Sequence, residues 1–523
     1  MDRRALLTTA VALTATACTS GGGSGGDGAG TGSRPGAPAR TTPAPAPPPA
    51  PRTSRAPDWN ALARSLDGRL IRPDDADYPA ARQLYNTRFD TQRPAAVAYA
   101  AGEDDIRECL AHARAHGVPV SIRGGGHSYA GWSSGTGRLV IDVSALDRVA
   151  ADGTIGAGAR LADVYRTLAR TGRTLPAGSC PSVGISGLTL GGGQGVTSRA
   201  YGLTCDSLLS ATLVTAAGTT LTTSADEHPE LFWALRGAGN GNFGVVTALR
   251  FRTSPAPAAV TGRISWPWPR AAAVLAAWQR WGPDQPDEIW SSAHLGAAPG
   301  GAAPNISVAV CSLGTEGELS TALDRLIDRA GAPAGPVSLR RRGHLDAMLG
   351  YADCATLSPE QCRLPGTVPG RSRAGALQRD TYASASDFFD RDLPADGIRA
   401  LLAAVESFRD LPAGQGSVSL TALGGAVNRV DPSATAFVHR RSRTLAQYIA
   451  SWRAGTPGGH QRAWLGETHR ALRPHASGAA YQNYPDPRLA DWRRAYYGPA
   501  ADRLTRLKRR YDPERVFDFP QAL

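Results

Sequence analysis

The stretch Ser121-Ile122-Arg123-Gly124-Gly125-Gly126-His127-Ser128-Tyr129-Ala130-Gly131 decides how the rest of this 523-residue chain is read. Consecutive glycines let the backbone reach positive φ and approach a ligand with no Cβ in the way. Successive N–H groups in such a turn form a concave nest suited to an anion such as a pyrophosphate. His127 follows at once, and Ser128 and Tyr129 add two hydroxyls. Apolar, β-branched runs at 118–122 and 139–143 flank the stretch and read as strands. The reading is a glycine-rich loop between two strands, with a histidine at its tip.

Working outward, a second glycine segment lies about fifty residues on, Gly178-Ser179-Cys180-Pro181-Ser182-Val183-Gly184-Ile185-Ser186-Gly187-Leu188-Thr189-Leu190-Gly191-Gly192-Gly193, with Gly195 just beyond. Tyr201-Gly202-Leu203-Thr204-Cys205-Asp206 follows it. Gly239 to Gly244 satisfies G-x-G-x-x-G, but 245–251 reads as a strand, whereas a dinucleotide fingerprint of that kind opens a helix. In this order the segments closely resemble the berberine-bridge-enzyme-like oxidases of the vanillyl-alcohol-oxidase flavoprotein superfamily. So do the run Leu231-Phe232-Trp233-Ala234-Leu235-Arg236-Gly237-Ala238 through Gly244-Val245-Val246-Thr247, and Tyr481-Gln482-Asn483-Tyr484-Pro485-Asp486 with Tyr511 to Phe517. One departure is Ala238, where the family has glycine.

The resemblance covers roughly 80–523. It implies an α+β fold of two domains: a split FAD-binding domain and an α+β substrate domain with an antiparallel sheet. The expected bounds are an FAD-binding domain at 80–255, a substrate domain at 256–479 and a C-terminal return to the FAD domain at 480–523. In the family the histidine of R-G-G-G-H is bonded to the 8α-methyl of FAD, and the cysteine of the second segment makes another link. Carried over, these are His127 and Cys180. The implied cofactor contacts are Arg123, Gly124, Gly125, Gly126, Ser128, Gly131, Val183, Gly184, Gly187, Gly191, Gly192, Gly193, Gly195, Tyr201, Gly244, Val245, Val246 and Asn483. Double tethering, as the resemblance implies, raises the flavin's potential and leaves a wide cleft.

Taking hydride from a C–H bond requires a base for the hydroxyl proton. Tyr481 and Tyr484 are the candidates the resemblance offers, either as base or as stacked wall. A phenol with a pKa of ~10 needs a stabilising neighbour to act near neutrality. Asn428 and Arg429, in Gly424-Gly425-Ala426-Val427-Asn428-Arg429, are the candidate substrate contacts. The expected reaction is oxidation of an alcohol or sugar hemiacetal with O2 as acceptor, giving hydrogen peroxide. A tailoring oxidase for a secondary metabolite, a dehydrogenase with another acceptor and a non-catalytic flavin- or carbohydrate-binding lipoprotein stay open. No G-x-S-x-G elbow supports a serine hydrolase.

The composition, 42% hydrophobic and 20% charged, is that of a soluble globular protein. The net charge of +12 is carried almost entirely by arginines spread along the chain, Lys508 being the single lysine. No basic helix or aromatic-interleaved basic strip points to nucleic acid. Arg3-Arg4 before a short apolar run resemble a twin-arginine export signal over 1–18. Thr14 to Cys18 resembles a lipobox, so Cys18 is either a lipid anchor to the membrane or close to a cleavage site that releases the protein. Residues 19–57, rich in Gly, Ala, Pro, Ser and Thr, read as a disordered tether. The expected location is therefore extracytoplasmic. Export would permit a disulfide between Cys354 and Cys362. Cys109, Cys205 and Cys311 read as small buried residues, and no cysteine or histidine spacing resembles a metal site.

Overall fold

The computed structural model describes residues 56–523. The expected export signal, Cys18 and the expected tether as far as residue 55 lie outside the described residues. The glycine loop leaves the end of a four-stranded sheet ordered Arg69–Ile71, Ala96–Tyr99, Leu139–Asp142, Val120–Arg123. The last three strands are parallel. Every residue of Ala96–Tyr99 and Leu139–Asp142 is buried, as parallel strands covered on both faces require. Helix Glu103–His116 makes the crossover. Glu103, Asp104 and Asp105 occupy its first turn, where the helix dipole favours acids, and Gly117 ends it at φ 64°.

The sequence reading extends the first helix to residue 70, but it stops at Ser65 and Arg69–Ile71 is a strand. Asp105 is the cause. Its buried carboxylate accepts from the amides of Asp67, Gly68 and Ala101 at 2.7–3.0 Å. A Cβ on Gly68 would lie 2.0 Å from the Tyr99 carbonyl, so only glycine turns there.

A second, antiparallel sheet follows in the order Thr154–Gly156, Val245–Phe251, Leu208–Val214, Thr220–Ser224. The strand assignment at 245–251 bears out the rejection of the dinucleotide fingerprint. Beyond it lies an antiparallel sheet of seven strands, ordered Leu339–Arg342, Ala259–Trp266, Asn305–Ser312, Ile289–Ala297, Gln415–Ala422, Thr444–Ser451, Tyr382–Phe389. The fold is thus α+β, built on these three sheets. Alternation sets the faces of the large sheet. Ala383, Ala385, Val418, Leu420, Ala446 and Tyr448 pack in one apolar core with helices Ala271–Trp281, Glu316–Ala330, Ala395–Ser407 and Gly459–Leu472. Helix Glu316–Ala330 opens with a capping box between Thr315 and Glu318.

Three buried polar ties hold the parts together. Arg440 grips Asp206 through two charge-assisted bonds of 2.6 and 2.8 Å, with side-chain exposures of 0% and 9%. Asn86 bonds the main chain of Tyr382 in both directions. Lys508 is buried too, its ammonium donating to the Asn242 carbonyl, the Asp512 carboxylate and the Phe517 carbonyl at 2.6–2.8 Å. Cys354 and Cys362 are disulfide-bonded, and Cys109, Cys205 and Cys311 are buried free thiols.

Candidate functional site

A cavity of about 460 Å³ opens where the glycine loop, the second glycine segment and the C-terminal segment meet. Its volume is that of a cofactor or drug-sized ligand site. Gly124, Gly125, Gly126, His127 and Ser128 line it. Their backbone amides donate to no acceptor among the described residues. A row of orphan N–H groups facing a cavity is a built anion nest. Gly125 must be glycine, because a Cβ there would stand 2.2 Å from the Gly184 amide nitrogen. The two glycine segments therefore lie backbone against backbone.

His127 is stacked on Tyr85, ring centroids 4.1 Å apart, and its Nε2 meets the Ser182 hydroxyl at 3.0 Å. Burial lowers its pKa to about 3, with Arg160 adding to the effect, so the ring is neutral. Nδ1 makes no bond to a described residue. Cys180 lines the same cavity, and burial pushes its thiol up to about 11, partly offset by bonding to Ser182.

The opposite wall is made of tyrosines. Tyr481 is buried, and its oxygen accepts from the Gly193 amide and the Asn483 amide, each at 2.9 Å. Burial raises its pKa despite those donors. Tyr484 lies parallel to Tyr129 at 5.1 Å and edge-on to Tyr481 at 4.8 Å. Its hydroxyl bonds no described residue, and burial alone pushes its pKa up to about 12. Tyr129 accepts from Gln447 Nε2 at 2.9 Å and meets Tyr382 edge-on. Gln447 is registered with Ser419, Ser419 with His294 and His294 with Ser307, so the four share a face. His294 Nδ1 and the Ser419 hydroxyl are 3.0 Å apart. This polar row runs across the large sheet on the face opposite its helices.

Of the expected cofactor residues, Gly124, Gly125, Gly126, His127, Ser128, Cys180, Val183, Gly184, Gly187, Gly244, Val246 and Asn483 line the cavity, as do Tyr481 and Tyr484. Others support the wall from behind. Arg123 pairs with buried Asp142, and a Cβ on Gly191 would strike Asn483 at 2.0 Å. Gly193 holds Tyr481. Gly131, Gly192, Gly195 and Val245 do not line the cavity, Val245 being buried in its sheet.

Three further expected residues lie away from the cavity. The Tyr201 hydroxyl donates to the Pro255 carbonyl at 3.1 Å, outside the cavity. Asn428 bonds the Gly424 amide and the Ser442 carbonyl within a short helical turn. Arg429 is an exposed partner of Asp287. Neither 428 nor 429 lines the cavity, because the turn at Gly424-Gly425 carries them past the end of the strand. Sequence reading missed Tyr85, Tyr382 and Gln447, and also Trp132 and Phe519, whose rings sit 5.4 Å apart in the cavity wall. The alternation at 382–389 and 444–451 was the available signal for the sheet residues.

The residues present fit a dinucleotide with an anionic middle and an aromatic end, through the amide nest and the tyrosine wall. Residues 94–224 match the FAD binding domain family, and 480–523 match the family described as berberine and berberine like. An uncharacterized FAD-linked oxidoreductase of Bacillus subtilis (strain 168) is 33% identical over 88% of this chain and 97% of its own. The chitooligosaccharide oxidase of Gibberella zeae is 31% identical over 84% of this chain and 89% of its own. Among solved structures, the wild-type berberine-bridge-enzyme-like protein 1 of Physcomitrella patens is similar with a TM-score of 0.79 at 30% identity, covering 89% of this chain and 98% of that one. The xylooligosaccharide oxidase from Myceliophthora thermophila, in complex with xylobiose, gives 0.77 at 28% identity over 88% and 98%.

Proposed function

This chain belongs to the berberine-bridge-like FAD-linked oxidoreductases, and on that premise we propose that it is an exported oxidase holding FAD covalently at His127 and Cys180. Its substrate is an alcohol or a saccharide oxidised at the hemiacetal carbon, with O2 as acceptor and hydrogen peroxide as product. FAD supplies the hydride acceptor when bound.

The single observation that carries the reading is the shared cavity. A neutral histidine with a partnerless Nδ1, a cysteine and a tyrosine with a partnerless hydroxyl all line one cavity. His127 Nδ1 is the attachment atom, since Nε2 is engaged by Ser182. Cys180 provides the second link through its sulfur. The orphan amides of 124–128 bind the pyrophosphate.

The two tyrosines divide their work. Tyr481 has its oxygen occupied by two N–H donors and acts as a strut. Tyr484 takes the substrate's hydroxyl proton at its own phenolic oxygen. Stacking against Tyr129, itself held by Gln447, keeps that oxygen aimed. The row from Gln447 through Ser419 and His294 to Ser307 offers hydrogen-bonding groups at strand spacing, which suits a polyhydroxylated chain. The chitooligosaccharide and xylooligosaccharide oxidases among the relatives support a saccharide. The twin-arginine resemblance and the disulfide support export.

Acid denaturation of the purified protein tests the reading. Flavin absorbance should stay with the polypeptide, and peptide mass mapping should find the adduct on both His127 and Cys180. A peroxide-coupled screen of oligosaccharides and alcohols should then yield a substrate. Colourless protein that FAD does not reconstitute rejects the proposal.

A further inference from the structure

The glycine loop has a second cavity against it. This smaller space, about 30 Å³, shares Tyr85, Gly124, Gly125 and Gly126 with the large cavity, so the loop is a wall common to both. Three guanidinium groups line it, those of Arg123, Arg160 and Arg371, against one carboxylate, Asp142. Only Arg123 is ion-paired with that carboxylate. Arg160 bonds the Gly158 carbonyl and the Ser144 hydroxyl, and Arg371 bonds the Gln83 side-chain oxygen and the Pro365 carbonyl, all of them neutral acceptors. Arg160 and Arg371 therefore have no ion-pair partner among the described residues, and Asp142 is the one carboxylate that faces all three cations.

Burying unpaired charge is costly, and a site that retains it is built around something of the opposite sign. Arg123 is 4% exposed and Arg160 8%. Arg123 Nη1 is buried with no hydrogen-bond partner. The guanidinium groups also work against one another. Burial lowers Arg371 to about 10, and Arg123 and Arg160 push it in the same direction. The space exceeds the ~10–15 Å³ that one water needs. It has no room for a pyrophosphate.

We propose that this cavity binds one monovalent inorganic anion of halide size, held by Arg123, Arg160 and Arg371. The anion occupies the orphan Nη1 and joins two parts of the chain. Arg123 ends the strand that launches the glycine loop. Arg371 belongs to the segment that follows the Cys354–Cys362 disulfide. Occupancy therefore stiffens the loop that lines the FAD cavity. This assignment does not depend on the reaction proposed above.

The test uses the flavin-loaded protein as isolated. Crystals equilibrated with sodium bromide should show an anomalous peak in contact with the three arginines. Thermal unfolding is then compared in sodium chloride and sodium gluconate at equal ionic strength, so that screening is the same. The midpoint should rise with chloride concentration and not with gluconate, as ligand linkage requires. Arg371→Gln should lose that difference. A cavity without a bromide peak overturns the proposal. So does a peak with no chloride-specific rise, which would mark an adventitious ion only. The bromide experiment needs no variant, so it decides even where Arg371→Gln fails to fold.

Discussion

On one side of the large cavity, residues 124–128 and 184–187 present main chain; on the other, Tyr129, Tyr382, Tyr481 and Tyr484 present rings. The first wall holds its shape because a Cβ would collide, the second because side chains stack and bond. Main chain recognises what every dinucleotide has, an anionic backbone. Ring faces present shape and edge contacts instead, the kind of surface that varies with the molecule bound. The difference predicts that the two walls of one cavity tolerate change unequally.

The hardest blow to this contrast is a side chain in the main-chain wall. Gly125→Val places carbon atoms 2.2 Å from the Gly184 nitrogen, so the flavin-to-protein ratio of the purified variant should fall to background. A variant that loads FAD normally would show that the backbone contact is dispensable.

On the tyrosine wall the effects should split. Tyr484→Phe should lower kcat by roughly 10²–10⁴-fold, the usual worth of a positioned base, with little change in flavin content. Tyr481→Phe strands two N–H donors at ~1–3 kcal/mol each. Its signature should be a lower melting temperature more than a lower kcat. Equal kinetic losses in the two variants would erase the division between strut and base.

Between the walls, the Asp206–Arg440 pair joins the halves. Arg440→Met leaves Asp206 buried and unpaired, at a cost of about 3–5 kcal/mol by chemical denaturation. Asp206→Leu in the same chain should recover most of that. A single variant of unchanged stability would mean that the joint relaxes around water.

Proton chemistry separates the walls more gently. Tyr484 is raised to about 12 by burial, and it accepts a proton only as phenolate. Its active fraction grows tenfold per pH unit below that value, so kcat/KM should climb through the neutral range instead of peaking there. Cys180 is raised to about 11 and reacts as thiolate. Its flavin adduct should therefore form faster at higher loading pH. His127 is already neutral above about 3, so its adduct should not respond. The smallest effect is expected from Gln447→Ala, which frees the Tyr129 hydroxyl. The loss of ~0.5–1.5 kcal/mol should appear as a few-fold rise in KM.

The main-chain wall was legible in the sequence for a local reason. Glycine at 125 and 184 answers a backbone contact that no side chain fits, Gly126 takes a positive φ, and His127 and Cys180 sit inside those segments. The α+β division came with the family resemblance those segments carry. The tyrosine wall depends on register between distant strands. Tyr382 reaches the cavity because Asn86 fixes its main chain, and Gln447 meets Tyr129 because it pairs with Ser386 and Ser419. Nothing near either residue says so. Asn428, Arg429 and Tyr201 lie outside the cavity for the same reason, since a motif's neighbourhood does not state which way its turn faces. The end of the first helix was missed because Asp105, far along the chain, captures the turn at Gly68.

The cavity is also a schedule. Some 350 residues separate Gly126 from Tyr481, roughly 20–70 s of synthesis at ~5–20 residues per second. Throughout that interval the glycine loop has left the ribosome with no opposite wall to close on. The last stretch, reaching from Tyr481 through Phe519 to Gln521, completes the enclosure, and Lys508 secures that stretch by three bonds. A chain interrupted anywhere before it carries half the enclosure. Closure of the cavity is thereby deferred until the stretch from Tyr481 to Gln521 is in place.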